Sequence, residues 1–215
     1  MKTQQTEFWT GSFGKEYTDR NPHSIEVSEQ AHVNYYGVLR SQLNEEFIGG
    51  LDGDARILEV GCNVGIQLLQ LQKMGFKYLY GIELQEYAVE KAKTFTKGVN
   101  IIQGSGFDIP FRDGFFDLVY TNGVLIHIAP ADLPLIMREM IRCSKKYIWG
   151  FEYFSEEQRE IPYRGNDGYM WKMDFSSEFI RVDPRLVKVK EKHIPYISET
   201  EKGNTDVMYL LEKRS

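Results

Sequence analysis

Short apolar runs alternate with amphipathic stretches through the middle of the chain. Arg56-Ile57-Leu58-Glu59-Val60 reads as a first strand that ends in Gly61-Cys62-Asn63-Val64-Gly65. Ile66, Leu68, Leu69, Leu71, Lys73 and Met74 then give a helix that stops at Gly75, a residue suited to a helix C-terminus. Residues 77–82 read as a second strand with Glu83 at its carboxyl end. Helical spacing returns at Ala88, Ala92 and Phe95 and ends at Gly98. Residues 99–102 are a third strand and residues 116–120 a fourth, preceded by the turn signal Asp113-Gly114. Leu133, Ile136, Met137, Met140 and Ile141 share a helical face, and residues 147–151 follow as a fifth strand. Two late extended runs, 186–190 and 207–211, are expected to pair as a closing hairpin.

Strands alternating with helices imply an α/β fold, a parallel sheet covered by helices. Two regions stand outside that rhythm. Residues 1–50 read as helices carrying Phe8, Trp9, Phe13 and Tyr17, and residues 152–180 are rich in Tyr, Arg, Glu and Asp with little periodicity. Such additions to an α/β fold build lids and substrate pockets. The expected organisation is one domain over 1–215: a helical lid (1–50), a ligand-binding core (51–151), a substrate-side insert (152–185) and the hairpin (186–215). With 215 residues and 42% hydrophobic content, one good core is available and two are not.

Charge and cysteine content narrow the partners. Twenty-six basic against 31 acidic residues leave a net charge of -5, which gives no background attraction for nucleic acid or anionic lipid. The first residues carry no apolar signal core, and no run approaches the roughly 18–20 apolar residues of a membrane helix. Cys62 and Cys143 make neither a disulfide framework nor a metal cluster. His23, His32 and His193 are scattered without ligand spacing, so no metal is expected. A cytoplasmic monomer or homodimer acting on a small molecule, with neither nucleic acid nor membrane as partner, fits these features.

Candidate chemistry begins at the glycine loop. A strand running through glycines into a helix brings backbone close to a ligand and presents free N–H groups. Taken alone, two glycines also serve a purely steric turn. A pyrophosphate site calls for a third glycine that this loop lacks. Glu59 would repel a pyrophosphate and would suit an ammonium group. Glu83 stands about 20 residues beyond the loop, where an acidic group meets ribose hydroxyls. Loop and carboxylate together favour an adenosine-containing ligand, with both NAD and S-adenosylmethionine open at this point.

The later strand ends decide between them. Gly104-Ser105-Gly106-Phe107-Asp108-Ile109-Pro110-Phe111 follows the third strand, and the fourth runs into Thr121-Asn122-Gly123-Val124-Leu125-Ile126-His127. With the glycine loop and Gly81-Ile82-Glu83, this series resembles the ordered motif set of class I S-adenosylmethionine-dependent methyltransferases over roughly residues 55–150. The resemblance implies a Rossmann-like fold with a central, mostly parallel seven-stranded sheet, helices on both faces and an N-terminal helical lid. S-adenosylmethionine would be the cofactor and S-adenosylhomocysteine the product. Glu59, Gly61 and Gly65 would hold the methionine end, with Cys62 and Asn63 between them, and Glu83 the ribose with Leu84 beside it. Ser105, Gly106 and Phe107 would flank the adenine, and Asn122 and Gly123 would lie under the sulfonium. Ser105 departs from the acidic residue many members carry there, and Asn63 from the commoner glycine. A narrower resemblance, on Phe8-Trp9-Thr10-Gly11-Ser12-Phe13-Gly14-Lys15-Glu16-Tyr17-Thr18-Asp19-Arg20-Asn21 and on residues 163–172, is to methylases associated with pseudaminic acid biosynthesis.

On that reading the enzyme methylates oxygen or nitrogen of a small polar acceptor, a nucleotide-activated or nonulosonic-acid-type sugar among the candidates. His127 is the candidate catalytic base, against a histidine that merely holds the loop before Pro130. Tyr17 and Arg20, three apart, would cover the cofactor, with Arg20 meeting its carboxylate; the plainer reading is an outer helix whose Trp9 and Phe13 pack on the domain. Tyr163, Arg164, Tyr169, Trp171 and Lys172, with Asn166 and Asp167 among them, would bind a sugar carrying a carboxylate or phosphate. A nicotinamide oxidoreductase fits the later motifs poorly. A base-amino methyltransferase would carry an Asn-Pro-Pro-Tyr-like tetrad where this chain has Thr121-Asn122-Gly123-Val124. A cofactor-binding module without turnover is the remaining alternative.

Overall fold

The structure is a computed structural model describing residues 2–21 and 23–214. Met1, Pro22 and Ser215, which the domain limits above include, lie outside the described residues. Strands β1 (Arg56–Val60), β2 (Tyr78–Glu83), β3 (Asn100–Gln103), β4 (Phe116–Asn122) and β5 (Ser144–Tyr153) are parallel neighbours in the order β3-β2-β1-β4-β5. A two-stranded pair, β6 (Arg159–Glu160) and β7 (Trp171–Lys172), stands apart. The sheet is completed to seven strands by β8 (Leu186–Pro195) and β9 (Thr205–Lys213), with β9 antiparallel to both β5 and β8. The chain runs outward from β1 to β3 and then crosses back to β4. That reversal opens a crevice beyond the strands' carboxyl ends, where open α/β sheets bind ligands.

Burial explains the strand signal. Four of the five β1 residues are buried, as a strand covered on both faces requires. Leu58 and Val60 pack with Met137 and Met140 of α7 (Leu133–Cys143), while Ile57 points to the opposite face with Leu68 and Leu71 of α5 (Ile66–Lys73). Leu68 and Leu71 are fully buried, and each stabilises the fold by about 1.5–3 kcal/mol. Val89 and Ala92 of α6 (Glu86–Phe95) complete that second face.

Two regional expectations change. The stretch 152–185 is not all insert, because Phe175–Val182 forms helix α8, whose Phe175 and Phe179 are buried against the α7 face. Nor is the whole of 1–50 a lid. Helices α1 (Gln4–Thr10) and α2 (Ser12–Arg20) roof the crevice, and α3 (Ile25–Tyr36) borders it. Helix α4 (Arg40–Ile48) instead puts Leu43, Phe47 and Ile48 into the core.

Candidate functional site

Loops leaving the carboxyl ends of β1, β2, β3 and β4 wall a cavity of about 300 Å³. Gly61 and Cys62 both donate their N–H to Ile82 O, at 2.8 and 3.1 Å, which ties the glycine loop to β2. Gly61 has φ 76°, and a side chain there would come within 2.7 Å of Val124. Gly65, φ 79°, opens α5 in the same left-handed region. A side chain on it would meet Ile101 at 2.8 Å, so its part is steric and it does not line the cavity. Asn63 takes a left-handed φ of 46°, which asparagine tolerates better than most residues, and its buried Oδ1 has no hydrogen-bond partner.

Two carboxylates face this loop. Glu83 accepts from Asn63 N and from Gln85 N, both at 2.8 Å, while burial holds its pKa above the usual carboxylate range. Glu59 is 3% exposed. Burial pushes it up to about 8, against the Tyr120 hydroxyl and the Arg40 guanidinium, which favour its charged form.

The roof is latched to the body. Gln85 Nε2 donates to Trp9 O at 3.0 Å and to Gly11 O at 3.3 Å, at the α1–α2 joint. Tyr87 donates to Asp19 at 2.8 Å, and Lys91 pairs with the same carboxylate. Gln5 Nε2 donates to Gly168 O at 3.1 Å. Gly14, Tyr17, Thr18 and Asn21, at i, i+3, i+4 and i+7, form the inner face of α2 toward the cavity. Trp9 lines it too, with its buried Nε1 unpartnered.

His127 closes the far wall from a 3₁₀ turn, Leu125–His127. Its Nδ1 lies 2.8 Å from Tyr169 O, which can only accept, so Nδ1 carries the proton and Nε2 is left as an acceptor. Trp9 and Tyr163 pack on the imidazole with ring centroids at 4.7 Å each. Burial pulls its pKa down to about 4, so the ring is neutral at pH 7. The turn itself hangs on buried Glu152, whose carboxylate accepts from Val124 N at 3.2 Å and Ile126 N at 3.4 Å.

Most of the expected cofactor residues therefore share one cavity: Tyr17 from the roof; Glu59, Gly61, Cys62 and Asn63 from the β1 loop; Glu83 and Leu84 from β2; Ser105, Gly106 and Phe107 from β3; and Asn122 and Gly123 from β4. Arg20 is not among them. It is exposed on the outer side of α2, 3.6 Å from Glu16 and over the Phe13 ring. Asn21, one residue further, is the one that turns inward.

The expected acceptor residues scatter. Tyr163 reaches His127, and Tyr169 stacks on Phe8 at 4.0 Å while its hydroxyl accepts from Gln4. Arg164 sits exposed on a tight turn with φ 50°. Trp171 is buried in the core. Lys172 is buried as well, donating to Asn204 and lying over the Tyr153 ring. Both belong to β7, whose packing on β5 consumes them. Sequence reasoning missed Trp9, Asn21 and Gln85. Only the i, i+3, i+4, i+7 set on α2 offered a signal.

Residues 58–147 match the family described as methyltransferase domain. An uncharacterized methyltransferase of Synechocystis sp. is 31% identical over 120 residues, 55% of this chain and 56% of that protein. The chain spans about half or less of the length of the curated relatives it matches. Among solved structures, the PH0226 protein of Pyrococcus horikoshii superposes with a TM-score of 0.69 at 16% identity, covering 93% of this chain and 99% of that one. A SAM-dependent methyltransferase of Methanosarcina mazei superposes at 0.61 and 18% identity, over 76% and 94% of the two chains. These likenesses establish the Rossmann-like fold with its seven-stranded sheet.

Proposed function

We propose that this chain, whose domain match and fold support a class I S-adenosylmethionine-dependent methyltransferase, methylates oxygen or nitrogen of a small polar acceptor. Sugars of the nucleotide-activated or nonulosonic-acid type are the first acceptors to try. The observation that carries the reading is one cavity joining Glu83, the glycine loop and His127. A carboxylate has about four acceptor sites, and the Glu83 carboxylate has given two to backbone N–H groups, which leaves two for a pair of ribose hydroxyls. Asn63 Oδ1 is a buried acceptor still in need of a donor. These residues fit the cofactor.

Glu59 would face the ammonium of the methionine end and Glu83 the ribose. Leu84, Ser105, Gly106 and Phe107 would enclose the adenine, with Asn122 and Gly123 beneath the sulfur. S-adenosylmethionine, when bound, supplies a methyl group already activated by a positive sulfur. The protein's share is then orientation, exclusion of water and removal of one proton. The α1–α2 roof excludes water. His127, held as the Nδ1–H tautomer by Tyr169 O, offers Nε2 to the acceptor's proton. Tyr163 and Tyr169 stand next to it, and Arg164 lies on the turn that follows Tyr163.

Incubating the protein with S-adenosylmethionine labelled in the methyl group and a panel of hydroxyl, amine and carboxylate acceptors, these sugars included, tests the reading. Label is expected in one acceptor class and not in the others. Saturable cofactor binding with no transfer to any class would favour a binding module over an enzyme.

A further inference from the structure

The α1–α2 roof and the segment between β6 and β7 meet over the cavity through aromatic rings, and no ion pair crosses their seam among the described residues. Phe8 of α1 stacks on Phe13 of α2 and on Tyr169, with ring centroids at 4.0 Å in each case. Phe13 and Tyr163 meet edge to face at 5.7 Å, and Tyr163 packs in turn on His127. Each side of the seam carries one arginine. Arg20 of the roof lies over the Phe13 ring at 5.6 Å, and Arg164 follows Tyr163 directly. Burial pushes the Tyr163 hydroxyl up, while the charges of Arg164 and Arg20 both act against that rise, so two guanidiniums stand by one hydroxyl.

Neither arginine is spent on the fold. Arg20 has only Glu16, itself exposed, at 3.6 Å, a contact that contributes little in water. Arg164 is exposed and forms no ion pair among the described residues. It also sits where the backbone does not favour it. Tyr163 and Asn166 exchange both backbone hydrogen bonds, at 2.8 and 3.0 Å, around a two-residue turn. Arg164 (φ 50°) and Gly165 (φ 81°) are both left-handed, the type I′ arrangement, whose first position suits Asn, Asp or Gly. An arginine is strained there, and such strain clusters at functional sites.

The cavity below has the opposite character. Glu59 and Glu83 line it, and no lysine or arginine does so among the described residues. An anionic group of the acceptor drawn inside would lose its water without gaining a partner charge. At the seam it would meet two guanidiniums, each able to hold a carboxylate or phosphate through paired N–H groups. Tyr163 touches Phe13 at the seam and His127 on the cavity wall, so one small molecule can span both.

We infer that Arg20 and Arg164 form a two-sided clamp for an anionic group, carboxylate or phosphate, on the acceptor, whose uncharged hydroxyl or amine end reaches His127. The inference rests on the function proposed above and places the acceptor's charge outside the cavity. NMR titration of the protein saturated with S-adenosylhomocysteine tests it, with glucuronate, glucose 1-phosphate and glucose as probes that share a sugar and differ in charge. The wild type is expected to bind one of the two anionic probes about 10-fold or more tighter than glucose. Which of the two it prefers separates carboxylate from phosphate. Arg164→Asn and Arg20→Gln are each expected to bring that ratio to about threefold or less, with S-adenosylhomocysteine affinity unchanged. Arg164→Asn should also denature at a higher temperature than the wild type, because asparagine suits the turn. A wild-type ratio near one for both anionic probes overturns the inference, and so does a ratio that survives in either variant. Lower stability in Arg164→Asn would make that arginine a structural residue and overturns the clamp equally. Failure of the wild type to bind S-adenosylhomocysteine would instead remove the proposed function on which the clamp rests.

Discussion

Replacing Glu83 with Ala isolates the contact on which the cofactor reading depends. Each Glu83 oxygen already accepts one backbone N–H at 2.8 Å, from Asn63 and Gln85, so the carboxylate is fixed in place before any ligand arrives. A fixed acceptor loses little entropy on binding, and a hydrogen bond to a charged group contributes roughly 1.5–3 kcal/mol. Two ribose hydroxyls at the low end of that range give about 3 kcal/mol, or about 150-fold in Kd. The two N–H groups released by the substitution face a cavity that water can enter, so the fold should survive. Calorimetric titration with S-adenosylhomocysteine, on protein shown to be folded by thermal denaturation, measures the effect. Glu83→Gln should lose nearly as much, because its amide offers one of the two N–H groups a donor instead of an acceptor. An affinity within about threefold of wild type in folded Glu83→Ala would refute the ribose role.

Three further outcomes follow from the same geometry. His127→Phe keeps the ring volume but leaves the buried Tyr169 carbonyl unpaired, which should cost about 1–3 kcal/mol in urea denaturation. Turnover of an identified acceptor should also fall by roughly 10²–10⁴ with cofactor affinity nearly intact, and full turnover would leave His127 a structural residue. Gln85→Ala removes the bonds to Trp9 O and Gly11 O, so hydrogen exchange in residues 4–20 should quicken while the core is unchanged; equal protection would show that the latch lies elsewhere. Burial pushes Glu59 up to about 8 and Glu152 and Asp206 to about 7, so what these carboxyls contribute is full at low pH and lost as pH rises through those values. His32 and His127, pulled down to about 4, contribute fully above pH 6.5 and lose it on acidification. Stability without cofactor should therefore fall from pH 6.5 to 8 by up to about 1.4 kcal/mol per unit for each carboxyl still titrating, and urea denaturation showing a rise over that window would contradict the assignments.

The parallel strands were legible because strands covered on both faces must be nearly continuous apolar runs, as at Ile57-Leu58 and Leu118-Val119. The nearness of Glu83 to the glycine loop was legible from their spacing, and its carboxylate does accept the Asn63 N–H there. What stayed hidden was decided by tertiary contacts. Arg40 opens a helix among Ser41, Gln42 and Asn44, and nothing local says that Phe151 and Trp149, more than a hundred residues away, will cover it. On α2, spacing placed Tyr17 on the inner face but could not say whether Arg20 or Asn21 would accompany it, since both lie within about 60° of Tyr17 around the helix. Trp171 and Lys172 look like ligand-binding residues by type. A two-residue strand folding back on β5 buries them both.

The most direct test of the central claim is a titration of the wild-type chain with S-adenosylhomocysteine and, separately, with NAD. Saturable binding of S-adenosylhomocysteine at one per chain, abolished or strongly weakened in Glu83→Ala, with no binding of NAD, is the expected result. Binding of NAD in preference, or of neither ligand, would contradict the assignment of this cavity to a methyl donor.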